Sequence, residues 1–172
     1  RMDRPAVKFS VFTKPWKNLP IPKLAEFVAE MGFDGIELPV RPRYQVPPEE
    51  VERLPEAVEK LREHDLEVYS IAGPADEATI AACERAGVPT IRRCLPVPAE
   101  ENYLEWETRW QAKTDRLLPL LESHGVTLGI QNHSGLCVAN AMGVRHLIEK
   151  YDPRQVGAVW DPAHCALDGE KP

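Results

Sequence analysis

Val156-Gly157-Ala158-Val159-Trp160-Asp161-Pro162-Ala163-His164 decides the fold. Its first five residues are small, β-branched or aromatic, as in a strand. It ends in a carboxylate, and Pro162 donates no hydrogen bond to a ladder, so the strand stops there. Strand side chains alternate between faces. With Ala158 and Trp160 outward, Val159 and Asp161 turn inward. An acid, and a histidine three residues later, then sit at the C-terminal end of a strand, where parallel α/β proteins keep their reactive groups.

Working back from this stretch, strand-like runs alternate with amphipathic helical patterns. The strands are read at 7–12, 35–39, 66–71, 90–94, 126–130 and 156–160. The helical pattern is clearest at Ile21, Leu24, Phe27, Val28 and Met31, and again at Val144, Leu147, Ile148 and Tyr151. Gly32, Gly87 and Gly125 mark helix ends. Asp76 is placed to cap a short helix. Pro55 kinks or restarts the second helix, and Pro119 disturbs a long one over 100–124. No helix is read after the sixth strand.

Such alternation predicts a parallel sheet with helices outside it. A closed (β/α)8 barrel needs ~250 residues, or ~200 at the short end, and the chain has 172. The loaded sixth strand end favours a barrel over an open sheet. Residues 1–172 then read as a single domain, the N-terminal three quarters of a (β/α)8 TIM barrel with about six of eight βα units. No GxGxxG follows the first strand and no GxxxxGK[ST] occurs, so nucleotide-binding α/β folds have no support.

The same parity argument fills the barrel mouth. Ile36 and Leu38 outward turn Glu37 inward. Ile130 outward turns Gln131 and His133 inward. Gly35, Gly129 and Gly157 lie one step below on the interior face. The cluster Glu37, Gln131, His133, Asp161 and His164 combines carboxylate and imidazole, which suits a divalent metal. Each member also has a plainer reading: Glu37 in a rim salt bridge, Asp161 as a turn residue, His133 bonded to a loop carbonyl. Arg92 and Arg93 share a strand, so one faces inward, where it suits an anionic or hydroxyl-rich substrate. Arg93 is the candidate contact; an arginine facing down makes a barrel-bottom ion pair instead. Trp16, after the first strand, either stacks on a sugar ring or covers the core. Trp106 and Trp110 read as packing residues, and His64, His124 and His146 as solvated.

Charge and composition narrow the partners. There are 21 Lys and Arg against 27 Asp and Glu, a net charge of −6, which argues against nucleic acid. No apolar run approaches the ~18 residues of a membrane span, and the N-terminus lacks the apolar region of a secretory signal. Cys83, Cys94, Cys137 and Cys165 form no CxxC pair; they read as reduced thiols of a cytoplasmic protein. Arg1 before Met2 suggests a trimmed or remnant start. The oligomeric state is not fixed by the sequence, and a homo-oligomer stays open.

FDGIEL at 33–38, GVTLGIQNH at 125–133 and VGAVWDPAH at 156–164 resemble the xylose isomerase-like TIM-barrel superfamily, the sugar phosphate isomerases and epimerases related to endonuclease IV. The resemblance implies a divalent metal (Mn, Mg, Zn or Co) at the barrel mouth and a small carbohydrate or sugar phosphate as substrate. Carried over, Asp161 matches the metal-binding Asp, and His164 the following substrate-contacting His. Gln131 stands where a metal-binding Glu is expected, and Glu37 matches an acid common on strand two. The implied catalytic residues are Glu37, His133 and His164, the implied substrate contacts Trp16, Arg93 and His164, and the implied metal ligands Asp161 and Gln131. An amide adds no charge and cannot act as a base. Strands seven and eight, with their implied His and Glu ligands, are not in this sequence, so metal binding is expected to be weak or absent. Two readings follow: a metal-assisted isomerase, epimerase or related lyase, and a non-catalytic or degenerate carbohydrate-binding barrel. The endonuclease branch would need histidines ending strands three and four, which instead end Ile71-Ala72-Gly73 and Arg93-Cys94.

Overall fold

The computed structural model describes residues 7–96, 100–136 and 138–171. The expectations for Arg1, Met2 and Cys137 lie outside them. Six strands alternate with helices: β1 Ser10–Phe12, α1 Ile21–Glu30, β2 Gly35–Pro39, α2 Leu54–Arg62, β3 Glu67–Ala72, α3 Glu77–Ala86, β4 Thr90–Cys94, α4 Tyr103–His124, β5 Thr127–Gln131, α5 Ala141–Ile148, β6 Val156–Val159 and α6 Pro162–Leu167. The strands pair in sequence order, every neighbour parallel. This is the winding order of a (β/α) barrel.

Three expectations change, the last being that α4 Tyr103–His124 runs through Pro119 as one helix. The first strand is shorter, beginning at Ser10 rather than at residue 7. A helix does follow the sixth strand: Asp161 caps α6, its carboxylate accepting from the backbone of Ala163 and His164, with Pro162 opening the helix. Proline is suited there because its missing N–H is one the first helical turn leaves unpaired anyway.

The other caps follow the sequence. Asp76 accepts from the Thr79 N–H, and Gly87 and Gly125 end α3 and α4 in left-handed conformations. Pro55 lies in the first turn of α2, which a 3₁₀ segment Pro48–Arg53 precedes, so the helix restarts there.

Outward strand residues make the core. Ile36, Leu38, Ile71, Ile91 and Ile130 have no exposed surface and lie in one apolar cluster with Leu24, Leu61, Ile80, Leu121 and Leu147 from the helices. Burying each such side chain stabilises by roughly 1.5–3 kcal/mol, which fixes strand parity, because a one-residue slip would exchange the faces. The interior face therefore carries glycines and polar groups, with Phe12 and Val159 among them.

One irregularity shapes that face. Between β2 and β3 the register shifts: Ile36 pairs with Val68, but Glu37 pairs with Ser70. Tyr69 is the extra residue of this bulge. A Cβ on Gly35 would meet the Tyr69 ring at 2.7 Å, so the ring fills the floor above Gly35 while Ser70 comes level with Glu37. Bulges re-aim side chains in this way near functional sites.

Candidate active site at the strand ends

The interior positions at the C-terminal ends of β2 to β6 carry one connected row of polar side chains. Glu37 sits between Arg92 and Ser70. Arg92 Nε donates to its carboxylate at 3.1 and 3.2 Å, Arg92 Nη2 is also paired with it, and Ser70 Oγ donates at 2.8 Å. Arg92 Nη1 donates to Cys94 Sγ at 3.3 Å, and Cys94 Sγ donates to Gln131 Oε1 at 3.3 Å. Gln131 Nε2 donates to Asp161 Oδ2 at 2.7 Å. His164 Nε2 stands 3.8 Å from the same oxygen.

The row is held from both sides. The Arg92 guanidinium lies over the Phe12 ring, 4.7 Å from its centre, a favourable cation–π placement. Thr13, fully buried, donates its backbone N–H and its hydroxyl to the Glu37 carbonyl. Asn132, also fully buried, bridges β5 to the end of β6: it donates to the Asp161 carbonyl and accepts the Asp161 N–H, each at 2.8 Å. Burial pushes the Asp161 carboxyl up. The His164 and Ala163 N–H groups, the Gln131 amide and the His164 ring outweigh that and hold it below the usual carboxylate range.

His133 and His164 stack with ring centres 3.8 Å apart. His133 Nδ1 pairs with the Ser134 carbonyl at 2.7 Å, so the loop-carbonyl reading of that histidine holds for one nitrogen. His164 Nδ1 is buried and, among the described residues, has no hydrogen-bond partner.

Glu37, Gln131, His133, Asp161 and His164 thus converge, Glu37 through Arg92 and Cys94. Arg93 and Trp16 do not join them. Ile91 is locked into the core, so parity turns Arg92 inward and Arg93 outward; Arg93 Nη1 donates to the Gly73 carbonyl at 3.0 Å. Arg92 is the interior arginine, paired at the mouth and not at the barrel bottom. Trp16 meets Phe27 of α1 edge to face at 5.1 Å and packs against the core, so the structure places it as a cover for the core. Ser70, Cys94, Asn132 and Thr13 belong to the site although the sequence reading did not single them out. For Cys94 the signal was present, two positions after Arg92 on one strand face.

Among the described residues the donor set does not fit a divalent cation. Among the described residues Asp161 is the carboxylate that contacts Gln131, whose oxygen accepts from Cys94 and whose amide group faces Asp161. Among the described residues no three His, Cys, Asp or Glu side chains are grouped to hold a metal. The row instead presents fixed hydrogen-bond donors and acceptors at the strand ends.

Among the described residues no helix is long and apolar enough to cross a membrane. Cys83, Cys94 and Cys165 are unpaired thiols. His124 and His146 each pair with a glutamate, Glu84 and Glu107, rather than with solvent alone.

Several solved structures share the fold. The 3-keto-D-glucoside 4-epimerase YcjR from E. coli superposes with a TM-score of 0.78 at 15% identity, over 96% of this chain and 72% of that one. A D-psicose 3-epimerase gives 0.77 at 12%, over 96% and 67%. The IolI protein, solved with a zinc atom, gives 0.72 at 18%, over 96% and 66%. The chain thus spans about two thirds to three quarters of these relatives. No curated protein matches it significantly in sequence. The sequence profile of one family matches residues 25–172. With six parallel strands in barrel order, the chain is a partial TIM barrel and belongs to the xylose isomerase-like TIM barrel family.

Proposed function

We propose that this chain forms the substrate-facing mouth of an isomerase- or epimerase-like enzyme acting on a small sugar or sugar phosphate. The observation that carries this reading is the unbroken polar row at the ends of five consecutive strands, from Glu37 to His164. Such a row offers fixed donors and acceptors to a molecule rich in hydroxyls. Reactions of this class take a proton from the carbon beside a carbonyl and return it.

His164 is the proton carrier in this reading, since its imidazole ends the row, Nε2 lying 3.8 Å from Asp161 Oδ2. His133 stacks against it and fixes its plane. Glu37, clamped by Arg92 and Ser70, accepts hydrogen bonds from substrate hydroxyls. Arg92 replaces Arg93 as the arginine of the interior. The metal expected from the resemblance enters no step, because the residues present do not fit it.

A second reading, a carbohydrate-binding barrel without catalysis, is favoured by Gln131, which occupies a carboxylate position with a neutral amide. One experiment separates them. Ketoses and their phosphates are incubated with the protein in D2O, and deuterium entry beside the carbonyl is followed by NMR. The enzyme reading expects exchange that falls at least about 100-fold in His164→Gln. Binding without exchange supports the second reading, and neither binding nor exchange rejects both.

A further inference from the structure

The ends of β2, β3 and β4 border an open pocket of about 430 Å³ beside the polar row. Its lining includes Arg41, Arg92, Arg93, Cys94, Gly73 and Asp76. Arg92 is neutralised by Glu37. Arg41 and Arg93 are not: among the described residues neither forms an ion pair. Arg41 lies over Phe12, 5.5 Å from the ring centre, and Arg93, although its strand position faces outward, lines the pocket from the rim and gives one hydrogen bond to the Gly73 carbonyl. Asp76, the one acid of the lining, has Oδ1 accepting from Thr79 N–H as the cap of α3.

Both arginines are partly buried. Burial lowers the Arg93 pKa and the like charge of Arg41 adds to this, with Cys94 and Asp76 offsetting part of it. Two guanidiniums sharing a partly desolvated cavity repel each other and lack acceptors for most of their N–H groups. An oxyanion between them relieves both costs, because guanidinium forks match carboxylate and phosphate geometry.

The cavity is continuous with the polar row, since Arg92 and Cys94 belong to both. From β4 to β6 is two strand spacings, roughly 10 Å, on the scale of an extended sugar chain. We infer that Arg41 and Arg93 form a subsite for an anionic oxygen group, carboxylate or phosphate, at the end of the substrate remote from His164. This rests on placing the substrate over the strand ends, and it makes the substrate an acidic sugar derivative and not a neutral sugar.

The test measures binding of D-fructose, D-fructose 6-phosphate and D-fructuronate to the protein by calorimetry. The subsite predicts that at least one anionic ligand binds about tenfold or more tighter than D-fructose. Tighter binding of the phosphate identifies a phosphate site, and tighter binding of the uronate a carboxylate site. Arg41→Gln should abolish the preference. Arg93→Lys, which keeps the charge and loses the fork, should reduce it. Among the described residues the Arg41 side chain makes only the Phe12 contact, so its variant should keep the wild-type circular dichroism and carries the test if Arg93→Lys unfolds. Equal binding of all three ligands, no binding of any, or an unchanged preference in Arg41→Gln overturns the subsite. Deuterium exchange is scored separately. Anion preference without exchange rejects the isomerase reading alone, and exchange without anion preference rejects the subsite alone.

Discussion

The side-chain amide of Gln131 donates to Asp161 Oδ2 at 2.7 Å across the β5–β6 pair. A glutamate in its place would set two carboxylates in contact. Gln131→Glu is therefore expected to cost about 1–3 kcal/mol in metal-free buffer, and to regain stability when Mn²⁺ or Zn²⁺ bridges the two acids. Thermal melts with and without each ion check this. A variant whose melting point ignores both ions would show that more than Gln131 keeps the site from taking a cation.

Glu37 and Arg92 make a buried pair, with side chains 15% and 8% exposed. Glu37→Gln keeps the shape but leaves the guanidinium without a counter-ion, which costs about 3–5 kcal/mol. The exposed Arg145–Glu149 pair, 70% and 57% exposed, is the control: Glu149→Gln should change stability by less than about 1 kcal/mol. Urea midpoints of both variants give the comparison, and Arg92→Met added to Glu37→Gln should recover part of the loss.

The depressed pKa of Asp161 sets a sign for acid stability. A carboxyl lowered on folding contributes stability that is fully present above its unfolded value, about 3.9. That contribution is lost as pH falls through the lower folded value. Asp161→Asn keeps a helix-capping oxygen and removes the titration. Wild type should lose stability more steeply than this variant below about pH 4. Parallel slopes in guanidinium melts across that range would contradict the assignment.

Gly129 is required by crowding. A Cβ there would lie 2.7 Å from Val159 Cγ2 and 3.2 Å from Thr90 Cγ2. Gly129→Ala is expected to cost about 1–3 kcal/mol through overpacking. Val159→Ala should offset much of it, so a double-mutant cycle by urea denaturation should show clear coupling.

Strand parity made most of this site readable in the sequence. Isoleucines at 36 and 130 fixed the faces, and Glu37 and Gln131 followed. The same logic applied to Ile91 would have chosen Arg92 over Arg93; two adjacent arginines hid it, since the charge pattern has no period of its own. The helix after β6 also had a signal, an Asp cap followed by Pro. The Tyr69 bulge had none, because the extra residue is fixed by packing over Gly35, and the place of Ser70 in the site depends on it. Trp16 was ambiguous for a related reason: whether it meets a ligand or Phe27 is decided by where α1 docks.

Glu37 and Arg92 are 55 residues apart in the chain, and β3 lies between their strands. Their contact is therefore expected to close after the three strands have paired, when most of the chain entropy of that loop has already been lost. The mouth is then expected to form late in folding, on a sheet that does not depend on it. Weakening the pair should leave the folding rate nearly unchanged and speed unfolding. The residues of the mouth are then expected to govern how long the folded molecule persists, not how quickly it arises.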